Sequence, residues 1–557
     1  MRSQMVLWQG EKRKRAAEGI VSVLLSVLTV FAGTAYQQYA GVPEGSRKVI
    51  YLFLQILLWT VLYFAGFRIT EGVLKKKEAS GREEYTLHFS AGRQMIGLVL
   101  CWLPYLLIYA PGLVNFDTVN QINDFYDGIS PVWFGFVEGQ ETVVALLNDH
   151  HPVFVTVLFS LIMLPWKAAG YPAGGIFCYC LLQMIFGAWV FVGFLSALKR
   201  WGLPRKAYQI IYGFLALMPF VALYMATMLK NTLHGIIFVW YLWKLLQMLH
   251  GEDGRREMKW FWLTSVLLCL TQKTGIYLVV LTDLGLLFHK RMKKERKAVA
   301  GNTVAGNAVC MLLLMMVLLP KVIYPILQIY PGGKQEMLGI CFQQTSRLVC
   351  RGMEQMTPAE QEIIDAVFDY NRIEELYDPH SSDPIKATYR LHAANEEITA
   401  YLKLWIRQGI RHPLSYIHSM LAISGAYFAP VEVADAYDHI PEAEGVFADI
   451  RHVLPNGVLE TVSALYRYLT GLPGIDLFFQ TVLYTWWIPL IYVVGIIVRR
   501  KWELLFSAIP VGANILFLAV SPLYCTRYAL PLIFAAPFLI GMLTVKESDT
   551  KTQNNVL

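Results

Sequence analysis

Apolar residues run along this chain in blocks of about 17–25, long enough to cross a bilayer, and short clusters of Lys and Arg separate them. The first block, residues 19–40, follows Glu11-Lys12-Arg13-Lys14-Arg15 and lacks a small-residue cleavage site, so it predicts an uncleaved span with the N-terminus inside. Residues 48–67 return to a basic loop holding Lys75-Lys76-Lys77, and residues 95–114 lead out again. The alternation continues through 173–198, 207–229 and 232–249. Two shorter pieces, 260–270 and 275–288, flank Thr271-Gln272-Lys273-Thr274 and predict a hairpin with its polar tip near the outer face. Blocks at 303–323, 477–498, 504–520 and 528–545 complete a set of about 12 transmembrane helices with both termini cytoplasmic. Residues 153–166 are apolar but short. Counting them as a crossing would turn Lys199-Arg200 and Arg205-Lys206 outward, so they predict a helix lying along the outer surface.

The pattern therefore predicts an all-α polytopic membrane protein with two large extracytoplasmic loops. Five stretches follow: 1–110 with three spans, 111–172 as the first outer loop, 173–323 with the central spans, 324–476 as a helical outer cap, and 477–557 with three spans and a cytoplasmic tail. A hydrophobic share of 55% against 16% charged fits this class and no soluble one. The formal charge of +7 would suggest nucleic acid, but the segments assigned to the cytoplasm hold 30 of the 48 Lys and Arg and only 13 of the 41 Asp and Glu. That asymmetry is the mark of membrane topology and leaves no nucleic-acid surface. No internal repeat is visible, which gives no support to a transporter built from inverted halves.

The outer loops carry the acid. The first has six acidic residues and no Lys or Arg before Lys167; the second has 20 acidic residues. In the second, Thr357-Pro358-Ala359-Glu360 has a helix-capping pattern, residues 399–408 have helical spacing, and the apolar stretch 413–428 predicts an interfacial helix. Of eight cysteines, Cys101, Cys178, Cys180, Cys269 and Cys310 sit in apolar runs as small core residues. Cys341 and Cys350 alone are candidates for a disulfide, with free thiols as the alternative.

Asp117 follows the third span directly, where a carboxylate suits a general base for a substrate at the membrane surface or a helix cap after Asn115. Asp149, His150 and His151 precede Pro152 and are candidates for substrate binding or for the start of the next helix. The two histidines are adjacent and lack any further ligand pattern, so no metal is assigned. Lys230, at the outer end of a span, Lys273, at the hairpin tip, and Arg527, at the start of the last span, suit a cavity or headgroup phosphate, or simple snorkelling. Gln343-Gln344-Thr345-Ser346-Arg347 adds a fourth cation with amide donors. Asp383-Pro384-Ile385-Lys386 reads as a turn, and Asp283 as an acid facing the bundle interior. One carboxylate and four cations on one face fit a transferase in which Lys230, Lys273, Arg347 and Arg527 hold a lipid-phosphate donor and Asp117 takes the acceptor's proton.

The outer loop with Asp117, the His151-Pro152 helix, the two-helix hairpin and the C-terminal Arg527 resemble the GT-C superfamily of polyprenyl-phosphate-dependent membrane glycosyltransferases. The phrases around Asn148–Pro152, Gln343–Arg347, Ser382–Lys386 and Cys525–Pro531 also resemble an uncharacterised family of bacterial multi-pass proteins. The resemblance implies an inverting transfer with Asp117 as base and a polyprenyl-phosphate lipid as donor. Two departures stand out. Superfamily members commonly pair two acids in this loop, whereas Thr118 follows Asp117, which weakens a divalent-metal site. Asn231 stands after Lys230 where a second acid is expected. A lipid or polysaccharide flippase with the same charged cavity is the alternative, and would need charge deeper than the single Asp283. A non-catalytic membrane protein is the third reading.

Overall fold

The computed structural model describes residues 2–38, 46–78, 89–127, 147–250, 254–293, 298–330, 332–352, 355–391, 393–435 and 445–545. Glu138 and Glu141 of the first acidic loop lie outside the described residues. The chain is a mostly helical, multi-pass membrane protein. Among the described residues eight helices are long and apolar enough to cross a bilayer, and a ninth forms if Arg205–Leu217 and Pro219–Met225, bent by 57° at Met218, count as one span. The other predicted crossings are also helices but shorter: Arg255–Thr271, the 275–288 part of Gly275–Lys293, and 483–498. The apolar run at 153–166 is the helix Val153–Ala168, which packs on Phe116–Asp127 and Ala173–Arg200.

The order of burial shows what the bundle is built around. Lys230–Leu249 and Thr526–Thr544 are enclosed along nearly their whole length, whereas Ser46–Val73 and Thr303–Ile326 leave their apolar side chains outward, as lipid-facing helices do. The two central helices pack on each other. They approach closely at Gly235, where an added Cβ would stand 3.0 Å from the Phe534 ring and 3.3 Å from the Leu530 backbone. Small residues at such crossings let helix backbones come together where lipid offers no hydrophobic drive. The consequence is positional. The first residue of one helix, Lys230, and the second of the other, Arg527, arrive at the same end of the bundle.

The 260–288 hairpin forms as predicted, with Gln272-Lys273-Thr274 as its break. Its tightness rests on Gly275: a Cβ there would sit 2.3 Å from the Leu268 carbonyl oxygen. Backbone cannot yield as a side-chain tip can. Gly275→Ala is therefore expected to open the hairpin and lower stability by about 1–3 kcal/mol, measurable as a drop in the melting temperature of the purified protein.

A second core lies within residues 338–416, centred on Phe342, Phe368, Tyr389 and Tyr401 and separate from the core of the bundle. Thr357 and Glu360 form the reciprocal capping box that their spacing predicts. The helical spacing at 399–408 belongs to Asn395–Arg411, and the apolar stretch from 413 forms Pro413–Ser424. One open alternative is decided and one expectation is corrected. Cys341 and Cys350 lie on one helix, Gln335–Cys350, as free thiols. Nine residues at 1.5 Å rise keep them about 13 Å apart along its axis, beyond disulfide reach. Asp383–Lys386 is a one-turn helix instead of a plain turn, because Lys386 folds inward to ion pairs with Glu336 and Asp383, each at 2.8 Å.

Candidate active site

Two very short parallel strand pairings place the candidate residues. Leu113 and Val114 pair with Thr227 and Met228, and both segments turn at once into helices, one opening at Phe116 and the other at Lys230. The Gln183 side chain holds the second strand by donating to the Met225 and Thr227 carbonyls, each at 3.0 Å. Asn115 caps the first helix by accepting from the Thr118 amide at 3.0 Å, and Thr118 Oγ1 donates to the Met228 carbonyl at 2.7 Å. The cap role open to Asp117 thus belongs to Asn115. The Asp117 carboxylate is left for other partners.

Those partners are two of the four candidate cations. Lys230 Nζ lies 2.8 Å from Asp117 Oδ2, and Arg527 Nη1 lies 3.3 Å from the same oxygen. Lys230 also donates to His151 Nδ1 at 2.7 Å, which puts the remaining imidazole proton on Nε2. The segment leading into Arg527 is held at Cys525: the Tyr427 hydroxyl donates to the Cys525 carbonyl and accepts from the Cys525 amide, both at 2.9 Å. Burial opposes ionisation of Asp117, but the charges of Lys230 and then Arg527 outweigh it and hold the carboxyl far below the usual carboxylate range.

Lys230 and Arg527 both stand in the first turn of long helices, where backbone N–H groups already concentrate positive potential. Cations there are unfavourable unless an anion faces them. Two cations and two helix N-termini around one carboxylate make a basin whose groups suit a phosphate. Asn115 Nδ2, Asn231 Oδ1 and Thr232 Oγ1 are buried at the same helix starts with no partner among the described residues.

A second strand pairing, Leu147 and Asn148 with Ile329 and Tyr330, builds the neighbouring part. Asp149 accepts from the Tyr324 hydroxyl at 3.1 Å and pairs with Lys273 Nζ at 2.9 Å; Lys273 also donates to the Asp149 carbonyl. Burial raises the Asp149 carboxyl above its ordinary value against the opposing charge of Lys273. Beyond it lies the Glu336–Lys386 pair, whose carboxylate acts electrostatically on His150. Ser382 donates from both its amide and its hydroxyl to the Pro522 carbonyl, at 2.9 and 3.2 Å, so the Ser382–Lys386 stretch touches the segment leading to Arg527.

The sequence reading thus meets four outcomes. Asp117, Lys230, Arg527 and His151 come together. Lys273 belongs with Asp149 instead of with Asp117. Gln343 and Gln344 are engaged inside the cap: Gln343 donates to the Asp378 carbonyl at 2.5 Å, while Gln344 donates to Tyr416 at 3.2 Å and accepts from Trp405 at 2.9 Å. Arg347 sits eleven residues along its helix from Glu336, about 16 Å at 1.5 Å per residue. Glu336 and Lys386 were missed. The signal available was the Ser382–Lys386 phrase, which a turn reading discounted. Asp283 is buried as expected and accepts from Asn307 Nδ2 at 2.8 Å. Among the described residues no three His, Cys, Asp or Glu side chains gather as a metal site, and no step below runs through a metal.

The sequence-family model described as a family of unknown function (DUF6020) matches residues 20–556. The chain belongs to that family. No curated protein matches it. Among solved structures it is similar to the archaeal oligosaccharyltransferase AglB from Archaeoglobus fulgidus, in complex with an inhibitory peptide and a dolichol-phosphate. Identity is 12% and the TM-score 0.36, over 81% of this chain and 50% of that one. This DUF6020 chain therefore spans half the length of AglB. It is also similar to ArnT from Cupriavidus metallidurans in the apo state, at 14% identity and a TM-score of 0.29, over 80% of this chain and 78% of that one.

One consequence of the site is a pH dependence. Burial first, and then the Lys230 ammonium, hold His151 well below its ordinary value. The unfolded chain binds a proton on this residue below about pH 6.5, and the folded protein does not. The contribution is therefore complete above that pH and is lost as pH falls, by up to about 1.4 kcal/mol per unit. Melting curves between pH 7.5 and 5.0 should show a smaller acid-induced drop for His151→Gln, which keeps an acceptor for Lys230.

Proposed function

We propose that this protein is an inverting membrane glycosyltransferase that moves a sugar from a polyprenyl-phosphate-linked donor to an acceptor hydroxyl or amine on the extracytoplasmic face. The observation that carries the reading is the Asp117 carboxylate held between Lys230 and Arg527 at the starts of the two central helices. In this scheme Lys230 and Arg527 bind the donor phosphate and stabilise it as the leaving group. The acceptor heteroatom bonds to the anomeric carbon as the carbon–oxygen bond to phosphate breaks. Its proton passes to Asp117, and the lipid phosphate leaves with the bonding electrons.

The resting carboxylate is a weak base because two cations grip it. A bound phosphate would take up part of that positive charge and so raise the basicity of Asp117. Donor binding then switches on the base, which keeps the acceptor from being deprotonated at an empty site.

The test uses the full-length protein in liposomes with radiolabelled polyprenyl-phosphate sugars. Transfer of label from the lipid to a polar acceptor, lost in Asp117→Asn while isoprenoid phosphate still co-purifies, supports the proposal. Movement of intact labelled lipid between leaflets without sugar transfer would instead establish the flippase.

A further inference from the structure

The Gln335–Cys350 helix carries a second cation in surroundings unlike the first basin. Arg347 is only 6% exposed, yet its Nε and Nη1 meet no acceptor, and no carboxylate lies within ion-pair distance among the described residues. The segments packed around it also carry hydrogen-bonding groups with nothing to bond. Ser346 Oγ on the same helix, the Tyr377 hydroxyl, and Ser415 and Ser419 Oγ on the Pro413–Ser424 helix are all buried without partners.

Two seams fix where Arg347 lies. One turn before it, Gln344 donates to the Tyr416 carbonyl at 3.2 Å; about one turn after it, Cys350 Sγ donates to the Ile373 carbonyl at 3.8 Å. The guanidinium therefore stands between the Pro413–Ser424 helix and the Ile373–Leu376 turn, both of which pack on its own helix. The Tyr377 hydroxyl faces it, short of good hydrogen-bond geometry. His418 is close enough that, after burial, Arg347 and Arg351 are the main causes of its depressed pKa, about 4.

A guanidinium with two of its nitrogens removed from water and no counter-charge is among the least favourable arrangements in a protein. An anion with several acceptor oxygens would satisfy both nitrogens together. A planar fork of N–H groups beside the Tyr377 hydroxyl suits the oxygens of a phosphate.

An apolar surface lies on the same helix as Ser415 and Ser419. Leu414 and Ile417 on the Pro413–Ser424 helix, with Ile406 and Ile410 just before it, are exposed as a ridge at helical spacing. Lys48, which also acts on His418, begins the helix whose apolar side chains face outward.

We propose that Arg347, with Ser346, Tyr377 and Ser419, forms a second phosphate site, separate from the Asp117 basin, that takes a phosphate mono- or diester at the edge of the bilayer. It does not depend on the transferase reading.

The test counts phosphates. Full-length protein is taken from nanodiscs of phosphatidylcholine with or without phosphatidylglycerol, and retained lipid is counted by native mass spectrometry. In a parallel arm, inorganic phosphate is titrated against the delipidated protein. Arg347→Gln is expected to remove one bound phosphate and to weaken that site at least tenfold, while Arg527→Ala leaves it in place. Loss in the lipid arm assigns a headgroup, and loss in the inorganic arm alone assigns free phosphate; either supports the site. Unchanged stoichiometry and affinity in Arg347→Gln overturns it. If that variant does not fold, Tyr377→Phe and Ser419→Ala are each expected to weaken the site about fivefold, the worth of one hydrogen bond, and no change in both overturns it equally.

Discussion

Replacing Asp117 with Asn is expected to reduce sugar transfer about 1,000-fold while leaving the protein able to bind a polyprenyl phosphate at least as tightly as before. The first effect follows from removing a general base, which contributes about 100- to 10,000-fold. The second follows from charge. Asn keeps the shape of the side chain but removes the charge that faces Lys230 and Arg527 at 2.8 and 3.3 Å. Two cations at two helix N-termini then meet an incoming phosphate without the Asp117 carboxylate between them. Turnover is read from label transfer in liposomes, and binding from co-purifying isoprenoid phosphate. A variant that transfers sugar at the wild-type rate sinks the assignment of Asp117. One that fails at both turnover and binding would show Asp117 to be structural.

Much of the membrane architecture was legible because it rests on one-dimensional quantities. Apolar length and basic clusters predict spans without knowledge of packing, and even the hairpin tip at Lys273 could be placed this way. The meeting of Asp117, Lys230 and Arg527 was legible only as topology: all three follow or begin an apolar run at the same face. What places them in contact is a pair of two-residue strands and a close helix crossing at Gly235, and neither leaves a periodic signal. The cap was harder. Gln343, Gln344 and Arg347 are polar residues in an acidic loop, and the sequence reads them as substrate and phosphate ligands. In fact they lie buried, on a helix whose other faces pack against Tyr416 and Ile373. Lys386 was misread for the same reason: its short side-chain surroundings say turn, while its ion pair is with Glu336, fifty residues away.

Arg527→Ala and Lys273→Ala are expected to separate sharply, although the sequence treats the two cations alike. Arg527 is 13% exposed and faces Asp117, so its removal should cut turnover about 100- to 1,000-fold, the usual loss for one charged donor to a transition-state anion in an enclosed site. Lys273 is 47% exposed and satisfied by Asp149, so its removal should change turnover by less than about threefold. Salt distinguishes the mechanisms. At 1 M the Debye length falls to about 3 Å, which erases the contribution of a half-exposed ammonium but barely reaches a guanidinium shielded by Tyr528 and the helix start. The Arg527 effect should therefore persist from 50 mM to 1 M salt, and the Lys273 effect should vanish. Equal losses in the two variants would mean that the phosphate sits over the hairpin tip and Asp149, and would move the proposed chemistry away from Asp117.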